Sequence, residues 1–523
     1  MIVITGTTAA AHTLAAEMPF FLDPAKEILL IPDWETLPYD NFSPHEDIIS
    51  DRLKALSRLP TLTEGVVIAS ITTLMHRLPP KHFIEAGVLS LSQGQHLDAQ
   101  KFVRNLTRNG YRSVDTVFEH GEFATRGSLL DVFPMGSNEP LRIDLFDGKI
   151  ESLRSFDPET QRTAQRLHDI ALLPAREFPL HADAIERFKI DWYRSFDGDP
   201  EQCSVFNEIS QGRAPQGAEY YLPLFFDECH SVFEYLPSAT PMVMVGDNFS
   251  SATRFWSEVN RRFEEYGVDP RRPLVEPRRG FIPPEELYAC IKRHCVLELR
   301  SSTESTLNIA LESYSPQAFT ENEEVGSLSG VAKLSAFLRT HTSPVVLSVE
   351  SAGRREILLE SLSKEGLIAT PVAHWDDFVA SGVSLGITVA DINRASFTSP
   401  SEPALVSEDQ LFGQRVAQKR RRRATDQTDT QAIIRDLTEL RPGLPVVHLE
   451  HGVGRYMGLE KLRIDDHDAE FLLLEYAHND KLYVPVGSLH LISRYSGGDA
   501  DTAPLHRLGT EQWSKARRKA SER

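Results

Sequence analysis

At 523 residues the chain exceeds what one hydrophobic core organises, and three or more domains are expected. A formal charge of -19 at pH 7 argues against the whole chain coating nucleic acid, because phosphate contacts need clustered lysine and arginine. Four cysteines (Cys203, Cys229, Cys290, Cys295) without a CxxC pair fit a reducing compartment, and no leader-like start or bilayer-length apolar run is present, so a cytoplasmic protein without membrane contact is expected.

The first block, 1–87, opens with Ile2–Ile4, Gly6, a helical stretch Ala9–Met18 and a second apolar run Ile28–Ile31. A helix over Asp47–Leu59 and a buried strand Val66–Ser70, leading into Thr72–Arg77, follow. This βαβ punctuation resembles the first half of a helicase-type lobe. Over 88–173 the signals turn antiparallel: strands at Thr116–Phe118, Phe123–Thr125, Ser128–Phe133, Leu141–Phe146 and Ile150–Phe156, with Asp147-Gly148 as a two-residue hairpin turn. Helices Ala182–Arg194, Glu201–Gln211 and Ser251–Glu265 and a strand Pro241–Val245 resume the lobe over 174–309, so the β-rich block reads as an insertion. A small α/β domain is expected over 310–415, with strand Ser343–Val349, a turn at Gly353 and a helix Arg354–Lys364 ended by Gly366. Residues 416–440 read as a basic flexible linker and helix carrying Lys419–Arg423, where like charges repel and favour a solvated tether. In 441–508, five short β runs (Pro445–Leu449, Arg455–Met457, Lys461–Ile464, Ala469–Tyr476, Lys481–Val486) alternate with turn signals at His451-Gly452, Asp465-Asp466 and Asn479-Asp480. They predict a small SH3/Tudor-like barrel with Val446, Val447, Leu472, Leu474, Tyr483 and Val484 inside. The basic stretch 509–523 reads as the start of a helix. The expected class is α/β multidomain.

Catalytic signatures are sparse. No G-x-x-x-x-G-K-[ST] loop occurs, and Gly6 is followed by Thr7-Thr8-Ala9-Ala10-Ala11-His12 with no lysine to balance phosphate charge, so no nucleotide or other cofactor is expected. Phe225-Phe226-Asp227-Glu228-Cys229-His230 has the form of a helicase Walker B motif. Lacking a phosphate loop, it reads more simply as a surface loop. Cys290, His294 and Cys295 with Cys229-His230 form a metal site only by long-range coincidence, and a helix Glu285–Cys295 with partly buried cysteines accounts for the same residues. Along Leu141–Phe146, alternation puts Leu141, Ile143 and Leu145 on one face and Arg142, Asp144 and Phe146 on the other. With Arg126 on a neighbouring strand, the second face has the arginine and aromatic composition of an interface hot spot. By pattern alone, a solvated face with Phe146 covering an edge remains equally open.

The segment VVHLEHGVGRY followed by LLLEYAHNDKLYVPV resembles the RNA-polymerase-interacting domain of bacterial transcription-repair coupling factors, shared with CarD-type regulators. EHGEFATRGSLLDVFPMGSNEPLRIDLFDGKIESLRSFDPETQR (Glu119–Arg162) is similar to the domain through which those factors and UvrB bind UvrA, and DWETLPYDNFSPHEDIISDRL (Asp33–Leu53) fits the coupling factor better than UvrB. The resemblance implies UvrA contacts at Arg126, Arg142 and Phe146. It also implies docking on the polymerase β subunit by the edge Lys461-Leu462-Arg463, with Leu462 as apolar anchor or, alternatively, as ordinary core. The family's ATP- and Mg-dependent DNA translocase, through which DNA is mainly engaged, and its regulatory domain would lie outside this sequence. The UvrA-binding face would then be unmasked, and the helix from Trp513 would begin the relay to the motor. The first strand of the UvrB-like lobe would also be missing, leaving the packing of Ile2–Ile4 open. The reading is a non-catalytic, monomeric adaptor of transcription-coupled nucleotide excision repair. Its rivals are a CarD-like regulator and a divergent helicase or nuclease using Asp227–His230.

Overall fold

The computed structural model describes residues 1–300, 330–341, 343–390, 392, 402–412, 445–448, 452–464, 467–477, 480–485 and 492–494. The chain divides into two compact units, Met1–Ala417 and Gln418–Arg523.

The first unit is built on five parallel strands in the order β13-β12-β1-β3-β2. These are β1 (Ile2–Thr5), β2 (Glu27–Ile31), β3 (Gly65–Ser70), β12 (Met242–Val245) and β13 (Val296–Leu299). β1 is central, with Ile2 opposite Val67 on one side and Met242 on the other. The doubt about Ile2–Ile4 is thereby corrected: these residues are at most 3% exposed, because a run apolar on both faces suits an interior parallel strand covered on both sides. Thr7 caps the Thr8–Phe21 helix, its side chain accepting from Ala10 N. That helix covers Val3, Val66 and Ile68. The Glu46–Arg58 helix turns Ile49, Leu53 and Leu56 into the main core and carries Arg52 to full burial.

Between β3 and β12 the chain forms β4 (Leu89–Ser92), β5 (Arg112–Ser113), β6 (Glu122–Arg126), β7 (Leu129–Val132), β8 (Leu141–Phe146), β9 (Lys149–Phe156), β10 (Thr163–Leu167) and β11 (Asp169–Leu172). Six make one sheet, β10-β9-β8-β7-β6-β5, and β4 pairs with β11. Asp147 (φ 49°) and Gly148 (φ 71°) form the expected hairpin turn, both in the left-handed region a primed turn requires. The strand predicted at Thr116–Phe118 is absent. Side chains bond that segment and its flanks instead: the amides of Phe118 and Glu119 donate to Glu122 Oε2, each at 2.9 Å, Val117 O accepts from Gln161 Nε2 at 3.2 Å, and Asp115 O accepts from Arg126 Nη2 at 2.7 Å.

The remainder of the first unit holds a parallel sheet β15-β16-β14-β17, from β14 (Val345–Val349), β15 (Thr370–Pro371), β16 (Leu385–Val389) and β17 (Ala404–Ser407). Gly353, expected as a turn, lies in the first turn of the Ala352–Lys364 helix, because Ser351 caps it by accepting from Arg354 N. Phe20, Phe21 and Trp375 cluster where the Thr8–Phe21 helix meets this sheet's core.

The second unit is a five-stranded antiparallel sheet, β21-β20-β19-β18-β22, from β18 (Pro445–His448), β19 (Gly452–Ile464), β20 (His467–Glu475), β21 (Lys481–Pro485) and β22 (Ile492–Arg494). The runs predicted at Arg455–Met457 and Lys461–Ile464 are one strand, because a bulge at Met457 beside Gly458 (φ 133°) breaks the alternation without ending the ladder. β22 lies beyond the five runs that the sequence predicts, and pairs with β18. Val446, Leu472, Leu474 and Val484 are core as expected, joined by Tyr456 and Tyr476. Tyr483 is a correction: it is 38% exposed, since the strand's period of two turns it away from Leu482 and Val484. A Cβ on Gly454 would meet the Tyr476 ring at 3.0 Å, which accounts for glycine there. The side chain of Val447, the linker with Lys419–Arg423, the turn at Asp465-Asp466 and the segment 509–523 lie outside the described residues.

Candidate docking surfaces

Register determines which residues of the six-stranded sheet share a face. Asp131 stands opposite Arg142, which stands opposite Arg154, while Leu129 pairs with both Arg126 and Asp144. These six residues therefore lie on one side. Leu130, Ile143 and Leu153, on the other, are buried in the main core. Phe146, two residues beyond Asp144, falls on the first side and is 72% exposed. The three residues predicted to bind UvrA are thus brought together.

Arg142 is fixed rather than free. Its Nε and Nη2 donate to the two oxygens of Asp131 at 2.8 and 2.9 Å, its Nη1 donates to Gln161 O at 3.2 Å, and it lies over the Phe156 ring at 4.6 Å. A bidentate fork of this kind holds the guanidinium in one plane. Arg126 donates to Asp115 O and to Thr116 Oγ1, 2.8 Å away, and so pins the loop that exposes Phe118. Sequence reasoning missed Asp131 as the partner of Arg142, although the period of two along Leu129–Val132 contained the signal.

In the second unit the backbone of Lys461, Leu462 and Arg463 lies in β19, with Leu462 opposite Ala469 of β20. Their side chains lie outside the described residues. β18 pairs with β19 only over Gly452–Arg455, so among the described residues no strand pairs with the other edge of β19 beyond Tyr456.

The Walker B-like segment runs from buried Phe225 into the solvent-exposed Asp227. Asp227 is exposed and ion-paired with Arg187, whose guanidinium holds the carboxyl below its ordinary range. Near the β1 turn, a hollow of about 370 Å³ is lined by both Arg254 and Glu258, whose opposite charges offset one another. Burial pushes the Cys229 thiol up to about 12, the reverse of what a thiolate ligand needs. His230 Nδ1 accepts from Lys81 N, and His294 Nδ1 lies 3.1 Å from Thr240 O. Among the described residues no three His, Cys, Asp or Glu side chains converge as metal ligands, and no helix is long and apolar enough to cross a membrane.

Three family models match the chain: UvrB interaction domain over 89–178, MFD D3 domain over 337–411, and CarD-like/TRCF RID domain over 440–496. These define a multidomain protein with two interaction modules flanking an α/β domain. Similar curated proteins are the transcription-repair-coupling factors of Escherichia coli K12, 43% identical across 95% of this chain, and of Haemophilus influenzae, 40% identical across 100% of it. That of Myxococcus xanthus is 29% identical across 98%. The chain belongs to the transcription-repair-coupling-factor family. It spans less than half the length of these relatives, 43%, 45% and 45% respectively.

Proposed function

We propose that this chain is a non-catalytic adaptor of transcription-coupled nucleotide excision repair, docking on the β subunit of a stalled RNA polymerase and recruiting UvrA. The observation that carries the reading is the meeting of Arg126, Arg142 and Phe146 on one face of the sheet, within the segment that matches the UvrB interaction domain. An exposed aromatic beside oriented guanidinium groups is the composition of a protein hot spot.

The polymerase contact is assigned to the edge of β19 beyond Tyr456, which no described strand pairs, where an extended partner strand adds to the sheet and Leu462 anchors it. Backbone pairing supports this: Leu462 lies in β19 opposite Ala469 of β20, in the stretch of β19 that β18 does not pair. In this proposal the second unit is a small barrel at 441–508. Residues 1–87 and 174–309 form the UvrB-like lobe around an 88–173 insertion, 310–415 is a separate α/β domain, and the linker 416–440 tethers the barrel. The chain works as a cytoplasmic monomer and turns over no ATP; translocation on DNA belongs to the rest of the family's length.

Calorimetric titration of the chain with the N-terminal region of the polymerase β subunit tests this, with Leu462→Arg as control. Micromolar binding abolished by the arginine is the expected result. A folded wild-type chain that does not bind would require the adaptor reading to be withdrawn.

A further inference from the structure

The UvrA-facing side of the six-stranded sheet extends past the residues assigned to it, as a rung of arginines. Arg142 of β8 stands directly opposite Arg154 of β9, and Arg154 directly opposite Arg166 of β10. Opposed residues of neighbouring strands share a face at about 5 Å, and like charges so placed destabilise a sheet. Compensation weakens along the rung. Arg142 has its two-bond fork to Asp131 at 2.8 and 2.9 Å. Arg154 reaches Asp144 at only 3.5 Å, with Ser152 Oγ at 3.1 Å. Arg166 is exposed and has no acidic partner among the described residues.

This cationic rung stands out in a chain of net charge -19 and costs the isolated sheet stability. A partner that presents carboxylates removes the cost, since guanidinium forks match carboxylates two bonds at a time. Phe146 on the same face and the acidic balance of the whole chain favour a protein surface over a polyanionic nucleic acid.

We propose that Arg154 and Arg166 continue the UvrA-docking face beyond Phe146 and receive an acidic strip of the partner protein. The inference rests on the reading above and adds the chemistry of the partner surface to it. Phe146 supplies the apolar anchor, Arg142 the oriented edge of the face, and Arg154 with Arg166 the long-range attraction that speeds encounter.

The test uses the whole chain and UvrA at two salt concentrations, comparing Arg166→Glu, Arg154→Gln and Phe146→Ala, with thermal melting of each. Arg166→Glu is expected to weaken UvrA binding about tenfold, chiefly through slower association, and to flatten its salt dependence. Its melting temperature should stay the same or rise, because the reversal relieves repulsion along the rung; a misfolded variant would show the opposite. Wild-type affinity and salt dependence in Arg166→Glu would overturn the proposal. So would loss of duplex-DNA binding with UvrA binding intact, which would assign the rung to nucleic acid. Failure of the wild-type chain to bind UvrA is a separate outcome, which removes the adaptor reading and this inference with it.

Discussion

Arg52 and Glu177 form an ion pair with neither side chain exposed, which gives the lobe a sharp point of failure. Arg52 Nε donates to Glu177 Oε1 at 2.5 Å, Nη2 reaches Oε2 at 3.4 Å, Nη1 donates to Pro32 O at 2.8 Å, and the guanidinium lies 5.5 Å from the centre of the Trp34 ring. Arg52 comes from the Glu46–Arg58 helix and Glu177 from the segment that follows β11, so the pair clasps the lobe where the chain returns from the inserted sheet. Glu177→Leu strands a buried cation and is expected to cost about 3 to 5 kcal/mol, whereas Glu177→Gln, which keeps one acceptor, should cost less. Replacing both charges (Arg52→Met with Glu177→Leu) removes two desolvation penalties together and should bring stability back to within about 1 kcal/mol of wild type, or above it. Urea unfolding followed by tryptophan fluorescence, with Trp34 beside the pair, gives the three values. The reasoning fails if Glu177→Leu costs under about 1 kcal/mol, or if the double variant is no more stable than the worse single one.

Phe146→Ala should leave the urea midpoint unchanged, because the ring is already 72% exposed, yet weaken UvrA binding by about 2 kcal/mol, roughly thirtyfold. Equal affinity in a titration would remove Phe146 from the interface. Acid should destabilise the lobe through His76, whose imidazole burial holds at about 4 against the pull of the Asp33 carboxylate. The unfolded chain takes up that proton near pH 6.5 and the folded chain only near 4, so the contribution is complete above pH 6.5 and falls as pH drops through this window, by up to about 3 kcal/mol. Denaturation midpoints at pH 7 and pH 5 check it. Asp33 is itself held below its ordinary value, adding loss in the same direction at lower pH, so a flat profile would contradict both assignments.

How much of this was legible in the sequence depended on whether local pattern or distant partners decided each element. The alternation in Leu141–Phe146 and the Asp147-Gly148 turn are complete within a few residues, and both stand as read. The parallel strands were legible as apolar runs, but the central place of β1 comes from pairing with residues more than sixty and two hundred positions away, which no local pattern encodes. Thr116–Phe118 has strand composition, yet the Phe118 amide donates to Glu122 and Val117 O accepts from Gln161 Nε2, partners that lie outside the segment. Arg126, Arg142 and Phe146 were identifiable as candidates because the resemblance supplied the role proposed for them. Arg166 was not, since its place depends on the register of β10 against β9.

The register of β9 against β8, which places Arg154 beside Arg142, turns on one residue. From the hairpin, Phe146 pairs with Lys149 and Leu145 with Ile150, but Asp144 then pairs with Ser152, so Glu151 is extra. Without this bulge Arg142 would stand opposite Leu153, and Arg154 would stand opposite the fully buried Leu141. The bulge reverses the side on which every later residue of β9 falls. It lets Ile150 and Leu153, an odd three residues apart, both reach the core at 1% exposure, and it delivers Arg154 to the face that carries Arg142. The same misfit that breaks the alternation of Lys149–Phe156 therefore sets Arg154 beside Arg142, and a second register shift, between Thr163 and Arg166 of β10, sets Arg166 opposite Arg154. A binding face can be concealed in a sequence where the strand that builds it departs from its regular period.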